Sequence, residues 1–541
     1  MVSAHSLHTV QTIFLLLLLI VAVFAAMARR LDLPYPILLV IAGLVISFVP
    51  HMPRVPLDPE LIFLVFLPPL LYAAAWQTSW REFRRNLVSI GLLAFGLVGF
   101  TVWGVAEIAD RFITALDWKS GFILGAVVAT TDAIAASSMA KSIGLPGQIV
   151  DLLEGESLLN DATGLLALEF GLTMLLRGDT PTALGGGLRL LWLVTGGLGV
   201  GLLMGVVTTW FEGWIDDGPV ELVISLIVPY AAYLAGEGIR ASGVLSVVAC
   251  GLYVSRRSVA LFSPEVRLQL MSAWSGLNFM LNGMVFVLIG LQLPYVLAGI
   301  RGYSRWTLLE YGTVFSAVLI ALRLAWIYPG AELAYQIRTR LLGQRYARPS
   351  GRAVFVVGWT GMRGVVALAA AISLPETMGD GRPFAQRNLI VFLTFCVILM
   401  TLVVQGLSLP TLIRWLGLAG GGEEREEEMR ARRTVLRAAI SYLEDSREED
   451  GGRFAQAYED LLNRYRHRLE AVNLATAEGG EEEPEMDAMR HWREIALRAA
   501  QAERRELIRM RDEGRIGDGV QRRLERELDL TEARQGGGVI R

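Results

Sequence analysis

Thirteen apolar stretches occupy most of the first 415 residues of this 541-residue chain. Each is about 18–25 residues long, which is the length that a helix needs to cross a lipid bilayer. Because lipid offers no partners to backbone polar groups, such stretches cross as helices. The sequence therefore predicts an all-α polytopic membrane protein with about 13 transmembrane helices. The stretches lie near residues 9–28, 34–50, 60–77, 87–109, 119–141, 151–176, 186–210, 219–236, 241–259, 270–293, 308–329, 352–373 and 387–415.

The basic residues around the first stretch indicate how the chain enters the membrane. Arg29 and Arg30 follow the stretch, whereas no Lys or Arg precedes it. A cleaved signal peptide carries positive charge before its apolar run, so this arrangement favours an uncleaved helix with the N-terminus outside. The alternative is a signal peptide that ends at Ala-Ala-Met-Ala. We expect a multi-pass protein of the cell inner membrane, with a periplasmic N-terminus and a cytoplasmic C-terminal tail.

The composition changes near residue 418, where the apolar stretches end. A run of acids at Glu423–Glu428 begins a tail that is rich in Arg, Glu, Ala and Leu, with apolar residues at three- and four-residue intervals. This spacing predicts amphipathic helices, which two Gly-Gly pairs divide into about three or four. We expect a transmembrane domain over 1–418 and a helical tail over 419–541. We interpret the tail as a solvated helical appendage, and a regulatory or dimer-stabilising coiled coil is the alternative.

Acidic residues inside two apolar stretches need a special explanation. Asp132 lies in the fifth stretch, and Glu154, Glu156 and Asp161 lie in the sixth. Each acid at bilayer depth costs about 3 kcal/mol on insertion scales, and such residues usually serve a function inside the helix bundle. The sequence therefore predicts a buried polar site in the membrane.

The fifth and twelfth stretches are both interrupted near their middle. Thr130–Asp132 interrupts the fifth, and Thr360–Gly364 interrupts the twelfth. The two stretches are seven spans apart, and an odd offset reverses the direction of a helix across the membrane. Inverted-topology repeats with two broken helices that cross at the midplane are a common way to hold ions in secondary transporters. We expect this arrangement here.

The sixth stretch brings oxygen-bearing side chains to the same depth. Ser157 and Asp161 are four residues apart and share a helix face, as do Glu156 and Asn160. If Asp132 lies beside them, carboxylates, an amide and hydroxyls meet at mid-membrane, and such ligands suit a small, hard alkali cation. A carboxyl group in a dry site also takes up protons readily, so protons and cations compete for it.

Charge counting predicts the stoichiometry of such a competition. Asn160 cannot titrate, so Asp161 is the one member of the adjacent pair that can exchange a proton for a cation. Provided that Asp132 keeps one charge state, one cation exchanges for one proton and the cycle is electroneutral. Two titrating acids would instead carry two protons per cation.

Other charged residues in the apolar stretches receive structural interpretations. Glu156 and Arg323 lie at matching depths and are expected to form an ion pair, with snorkelling of Arg323 to the interface as the alternative. Arg363, at the second helix break, is expected to face backbone carbonyls and the negative ends of the half-helices. Glu221 lies near the end of a span and is expected at the membrane interface.

These residues resemble the cation/proton antiporter-1 family of bacterial sodium/proton exchangers. The similarity covers about residues 10–415. The chain departs from the family pattern at two positions. Family members often have Pro where this chain has Ala133, and some have an acid where this chain has Ala73. The matching pieces are Thr131-Asp132, Leu153-Glu154-Gly155-Glu156-Ser157-Leu158-Leu159-Asn160-Asp161, Arg323, Gly361-Met362-Arg363-Gly364 and Phe66-Leu67-Pro68-Pro69-Leu70-Leu71.

The resemblance implies a homodimer that works by elevator-like alternating access. A core bundle, about 87–176 and 308–415, would rock against a dimerisation part, about 9–77 and 186–293. Na⁺ is the expected cation, with K⁺ or Li⁺ as alternatives, and H⁺ is the exchanged partner. The asparagine–aspartate pair at 160–161 goes with electroneutral family members.

The resemblance also implies roles for individual residues of this chain. Asp161 would carry the exchanged Na⁺ or K⁺, with Ser157 and the Thr131 backbone as further ligands. Asn160 would support Asp132 and the site. Glu156 would pair with Arg323, and the expected cation/proton-binding set is Asp161, Asn160, Asp132, Thr131 and Ser157.

Three other functions are weaker alternatives. An intramembrane protease uses two membrane aspartates, but its sequence patterns differ from those around Thr131-Asp132 and Asn160-Asp161. A channel binds ions weakly at several depths, and a sensor would tolerate loss of Asp161. The chain contains no P-loop, no dinucleotide fingerprint and no Cys-x-x-Cys spacing, so an ion gradient rather than ATP is the expected energy source. We expect no cofactor, no nucleic-acid partner and no enzymatic activity.

Overall fold

The computed structural model describes most of the chain and divides it into two compact units, Met1–Gly420 and Gly421–Arg541. Each unit is described by itself below. The described residues are 4–31, 33–49, 62–113, 115–132, 136–137, 143–177, 183–300, 304–344, 346–378, 381–418, 422–451, 454–474, 483–513, 515, 520–521, 524–525 and 527–529.

The first unit is built from helices, and every predicted apolar stretch contains one within the residues just given. The predicted all-α membrane fold is thereby confirmed. The helices are α1 (Ala4–Leu31), α2 (Tyr35–Ile46), α3 (Ile62–Gln77), α4 (Trp80–Phe112), α5 (Trp118–Ala129), α6 (Gly147–Arg177), α7 (Ala183–Glu212), α8 (Gly218–Gly238), α9 (Gly243–Leu261), α10 (Pro264–Ala298), α11 (Arg305–Leu341), α12a (Gly351–Trp359), α12b (Val365–Ile372) and α13 (Arg387–Trp415).

Length and composition identify which helices can cross a membrane unaided. Within the described part of the chain, eight are long and apolar enough: α1, α4, α6, α7, α8, α10, α11 and α13. Helices α2, α3 and α5 are shorter but apolar. Large apolar side chains such as Leu15 and Trp210 remain exposed on the outside of the unit. Exposed apolar surface of this extent is suited to contact with lipid.

Polar caps fix where several helices begin. The Asp117 side chain accepts a hydrogen bond from the Ser120 amide at the start of α5, and Ser242 and Ser350 cap α9 and α12a in the same way. These caps satisfy backbone amides that a helix start leaves unpaired. The helix boundaries therefore follow from short polar segments between the apolar runs.

Small residues allow the helices to approach closely. A Cβ built on Gly43 of α2 or on Gly290 of α10 would collide with the backbone of the other helix. Close packing of this kind is the usual basis of helix association in membranes. It holds α2 against α10 in the dimerisation part predicted from the sequence.

The second unit consists of helices α14 (Gly422–Glu449), α15 (Ala455–Leu474) and α16 (Glu483–Asp512). The turn after α14 contains Gly451, whose positive φ of 56° favours glycine. Met429 and Leu436 of α14 pack with Val472 of α15 in a small apolar core. The tail is therefore helical, as predicted, and its first two helices form a hairpin.

Candidate functional site

The two interrupted helices meet at their breaks. Helix α5 ends at Ala129, and Thr130 continues in an extended conformation. Helix α12 is divided into α12a and α12b by residues 360–364. The Asp132 amide donates a hydrogen bond of 2.8 Å to the Met362 carbonyl, which joins one break to the other. Ala133, where the family often has Pro, lies outside the described residues.

The glycines of the second break make room for charged side chains. A Cβ on Gly364 would collide with the carboxylate of Asp132, and a Cβ on Gly361 would collide with the side chain of Arg323. Larger residues at these positions would push both charges away. The two glycines therefore have a specific packing role at the crossing.

Thr131 connects the first break to α6 through three hydrogen bonds. Its hydroxyl accepts from the Asn160 amide and donates to a Glu156 carboxylate oxygen at 3.3 Å. Its backbone carbonyl accepts from the Ser157 hydroxyl at 2.8 Å. The Asn160 side-chain oxygen is buried and has no hydrogen-bond partner in the part of the chain that the structure describes. This oxygen is thus available to coordinate a cation.

Asp161 lies beside this network on α6. Only 6% of the residue is exposed, and its carboxyl group interacts electrostatically with that of Asp132, which is half-buried. Two carboxyl groups in a dry environment repel each other when both are charged, so a proton or a cation on one of them is strongly favoured. The pair therefore has the chemistry that an ion-exchange site requires.

Glu156 and Arg323 form a bidentate ion pair. The two guanidinium nitrogens lie 2.5 and 2.8 Å from the two carboxylate oxygens, and both side chains are 1% exposed. Arg323 also donates to the carbonyls of Val357 and Gly358, each at 3.1 Å, in the last turn of α12a. The arginine consequently satisfies carbonyls at a helix end, a second role that sequence spacing did not indicate.

Arg363 likewise donates to a backbone carbonyl near a helix end, here the end of α5. Its Nε donates to the Val128 carbonyl at 2.8 Å, near the end of α5, and its Nη1 donates to the Gly361 carbonyl. Its backbone amide donates to the Thr401 hydroxyl at 3.1 Å, at the start of a wide helical turn in α13. The sequence contained no signal for Thr401, because its role depends on how α13 passes the break.

A cavity of about 290 Å³ lies next to the site, between α6 and the helices α7, α8 and α9. Ala162 and Thr163, which follow Asp161 in the sequence, contribute to its wall. At another part of the wall, Glu169 of α6 forms an ion pair of 3.1 Å with Arg189 of α7. The cavity therefore leaves open space beside α6 on the side of the predicted dimerisation part.

One acid has surroundings that its sequence position did not indicate. Glu221 lies in the first turn of α8, near the end of that span, and neighbouring residues bury it fully. Its position at the membrane interface stays a prediction, whereas its burial was not anticipated, because distance from a span end does not show whether neighbouring helices cover a side chain. Its environment is considered further below.

Comparisons with known proteins agree with this geometry. Residues 15–415 match the family model described as sodium/hydrogen exchanger, transmembrane. A Mycobacterium tuberculosis protein named as an uncharacterized Na⁺/H⁺ exchanger is 32% identical over 94% of this chain and 93% of its own length. A sodium, potassium, lithium and rubidium/H⁺ antiporter of Bacillus subtilis is 28% identical over 92% of this chain and 74% of its own.

A solved structure has a similar fold. The sodium proton antiporter MjNhaP1 from Methanocaldococcus jannaschii aligns with a TM-score of 0.60 and 19% identity, over 76% of this chain and 99% of that one. At this identity the likeness concerns the fold. Together with the family match over 15–415, it leads to one conclusion: the chain belongs to the sodium/hydrogen exchanger family of transmembrane transporters.

Proposed function

We propose that this protein exchanges a monovalent cation, Na⁺, for H⁺ across the bacterial inner membrane, with Asp161 as the group that carries each in turn. The observation that carries the proposal is the electrostatic pair of buried Asp161 and half-buried Asp132 at the crossing of two broken helices. The family and the names of several relatives support cation/proton antiport.

The neighbouring groups favour one titrating residue. Asn160 is uncharged, and its buried side-chain oxygen has no hydrogen-bond partner among the described residues, while its amide nitrogen donates to the Thr131 hydroxyl. Asp132 is held by its backbone bond to Met362 and lies against Gly364. In the proposed cycle Asp132 keeps its charge, and Asp161 binds either a proton or a cation. One charge enters for each that leaves, so transport is electroneutral.

The cation would be bound by oxygen atoms alone. The Asp161 carboxylate is the charged ligand, and the Asn160 oxygen, the Ser157 hydroxyl and the Thr131 carbonyl are the neutral ones. Ser157 already donates to the Thr131 carbonyl, so the two groups lie together at 2.8 Å. Hard oxygen ligands of this kind suit alkali cations.

Alternating access requires that the site open to each side of the membrane in turn. The cavity beside α6 separates the proposed core bundle from the proposed dimerisation part and reaches the residues next to Asp161. The Glu169–Arg189 ion pair bridges these two parts of the chain. An elevator-like movement of the core bundle in a homodimer, with the N-terminus outside, would break this pair and carry the site across.

K⁺ is the second candidate cation. The names of two Bacillus relatives include sodium, potassium, lithium and rubidium. Ala73, which stands where some family members have an acid, is buried and offers no side-chain ligand. A smaller ligand set discriminates less between alkali ions, so we expect K⁺ to compete with Na⁺.

Proton flux in proteoliposomes tests the proposal. Adding Na⁺, K⁺ or Li⁺ to acidified vesicles should alkalinise the lumen with wild-type protein. Asp161→Asn should reduce this signal to that of protein-free vesicles, because the amide cannot exchange a proton for a cation. Asp110→Asn, which changes an exposed acid on α4, is the matched control and should retain full exchange.

Two results would contradict the proposal. Normal exchange by Asp161→Asn would exclude Asp161 as the carrier group. A transport current in a voltage-sensitive assay would contradict the one-for-one stoichiometry while leaving antiport itself in place.

A further inference from the structure

Two more acids are buried in the membrane unit, away from the crossing of α5 and α12. Glu212 is the last residue of α7, and Glu221 lies in the first turn of α8. The two residues are 2% and 0% exposed, respectively. They belong to the predicted dimerisation part, and the ion-exchange site described above does not use them.

Three of the four carboxyl oxygens of this pair are buried and have no hydrogen-bond partner among the residues that the structure describes. They are both oxygens of Glu221 and one oxygen of Glu212. The two carboxyl groups also interact electrostatically with each other. A buried carboxylate is normally compensated by hydrogen bonds or by a positive charge, so this pair requires another means of neutralisation.

The groups that face the pair from neighbouring elements do not supply a positive charge. Asp216, in the loop between α7 and α8, interacts with Glu221. Tyr72 of α3 interacts with both glutamates, and Cys250 of α9 interacts with Glu212. None of these three groups is a cation.

A proton is the neutralising ligand that this environment fits best. An alkali ion must replace its hydration shell with several oxygen atoms, and the described residues contain no cluster of three or more acidic, His or Cys side chains arranged to hold a metal ion. A single proton shared by two carboxyl groups removes one charge and the repulsion between them. It requires no further ligand.

The positions of the two acids on their helices indicate which of them is protonated. Glu221 lies in the first turn of α8, where the helix dipole favours a negative charge. Glu212 lies at the end of α7, where the dipole disfavours a negative charge. We propose that Glu212 and Glu221 form a second proton-binding site, in which Glu212 carries the proton and Glu221 is charged.

Release of this proton would put two like charges into a dry space between α7 and α8. Water must then enter, or the two helix ends must separate. The site would thereby couple pH to the packing of the dimerisation part, independently of transport at Asp161. Because a proton is bound in the folded protein and released on unfolding, the pair stabilises the fold at low pH and loses this contribution as pH rises.

Thermal unfolding of the purified full-length protein as a function of pH tests the proposal. The measurement is made on the Asp161→Asn background, so that the transport acid does not contribute. We expect the unfolding temperature of this background to fall as pH rises through neutrality. Adding Glu212→Gln, which mimics the protonated side chain, should flatten this dependence.

Three further variants or conditions sharpen the test. Adding Glu221→Gln should keep a pH-dependent transition but displace it to lower pH, because the neighbouring charge is gone. Adding Glu310→Gln, which changes an exposed acid on α11, should leave the profile unchanged. An infrared band of a protonated carboxyl group should disappear with rising pH in the background protein and be absent from it with Glu212→Gln.

Two outcomes would overturn the proposal. One is an unchanged pH dependence with Glu212→Gln. The other is stabilisation of the Asp161→Asn protein by Na⁺ or K⁺ at constant ionic strength that Glu212→Gln removes, since the pair would then bind an alkali ion. Neither outcome depends on whether Asp161 carries the transported cation, so failure here and failure of the proposed function remain distinguishable.

Discussion

Charged side chains at the helix crossing and in the tail are bound in different ways. At the crossing, Arg323 makes four hydrogen bonds, two to Glu156 and two to backbone carbonyls, and the guanidinium is withdrawn from water. In the tail, Arg432 pairs with Glu428 one turn away, and the two side chains are 40% and 53% exposed. Where water is excluded, each charge needs a specific set of partners, whereas water can replace any partner in the tail.

The largest expected effect follows from removing a charge at the crossing. Arg323→Ala leaves Glu156 buried without its counter-charge and leaves two carbonyls of α12a without donors. Breaking a buried pair in this way costs about 3–5 kcal/mol. We expect a large loss of thermal stability in detergent and loss of antiport. Arg305→Ala, an exposed arginine at the start of the same helix, is the control and should change little.

Replacing both Glu156 and Arg323 would separate two contributions to the loss of stability, the unpaired buried charge and the carbonyls without donors. Glu156→Leu with Arg323→Met removes the unpaired charge, so stability should recover in part. Recovery should stay incomplete, because the carbonyls of Val357 and Gly358 still lack donors. Full recovery would contradict a helix-end role for Arg323.

A smaller effect is expected from added volume at the second break. Gly364→Ala places a methyl group against the Asp132 carboxylate, and overpacking of this kind costs about 1–3 kcal/mol. Antiport should fall as well, since Asp132 must shift. Gly99→Ala on α4 is the control, because a methyl group there meets no atom within 4 Å. Equal effects of the two substitutions on antiport would contradict the proposed packing of Gly364 against the Asp132 carboxylate.

The smallest effect is expected in the tail. Arg432→Ala should change the free energy of unfolding by less than about 0.5 kcal/mol, because exposed pairs four residues apart contribute little. The effect should diminish further at high salt. Thermal unfolding at low and high salt measures both. A loss comparable to that of Arg323→Ala would contradict the contrast between crossing and tail.

Much of the fold could be predicted from the sequence because lipid imposes a strict pattern. Apolar runs located the helices, and polar interruptions at Thr130–Asp132 and Thr360–Gly364 located the two breaks. Matching depth also suggested that Glu156 and Arg323 could meet, and the structure pairs them. These inferences needed only position along the chain.

The remaining features depend on how helices cross. Which carbonyls Arg363 reaches is decided by the approach of α5 to α12, so Val128 could not be identified in advance. Burial of Glu221 depends on the helices around α8, and its sequence position near a span end does not reveal it. The roles of Asp161, Asn160, Ser157 and Thr131 in ion binding stay predictions that the flux experiment addresses.

The bond between the Asp132 amide and the Met362 carbonyl has a further consequence. It joins main-chain atoms, so apart from Asp132→Pro, which would remove the N–H, no substitution of either residue deletes the donor or the acceptor. The two helix breaks, which are far apart in the sequence, are therefore joined next to the proposed cation site. The site should keep its geometry while the surrounding helices rearrange. If so, an ion would meet the same oxygens whichever compartment it came from, and its intrinsic affinity would be equal on both faces of the membrane.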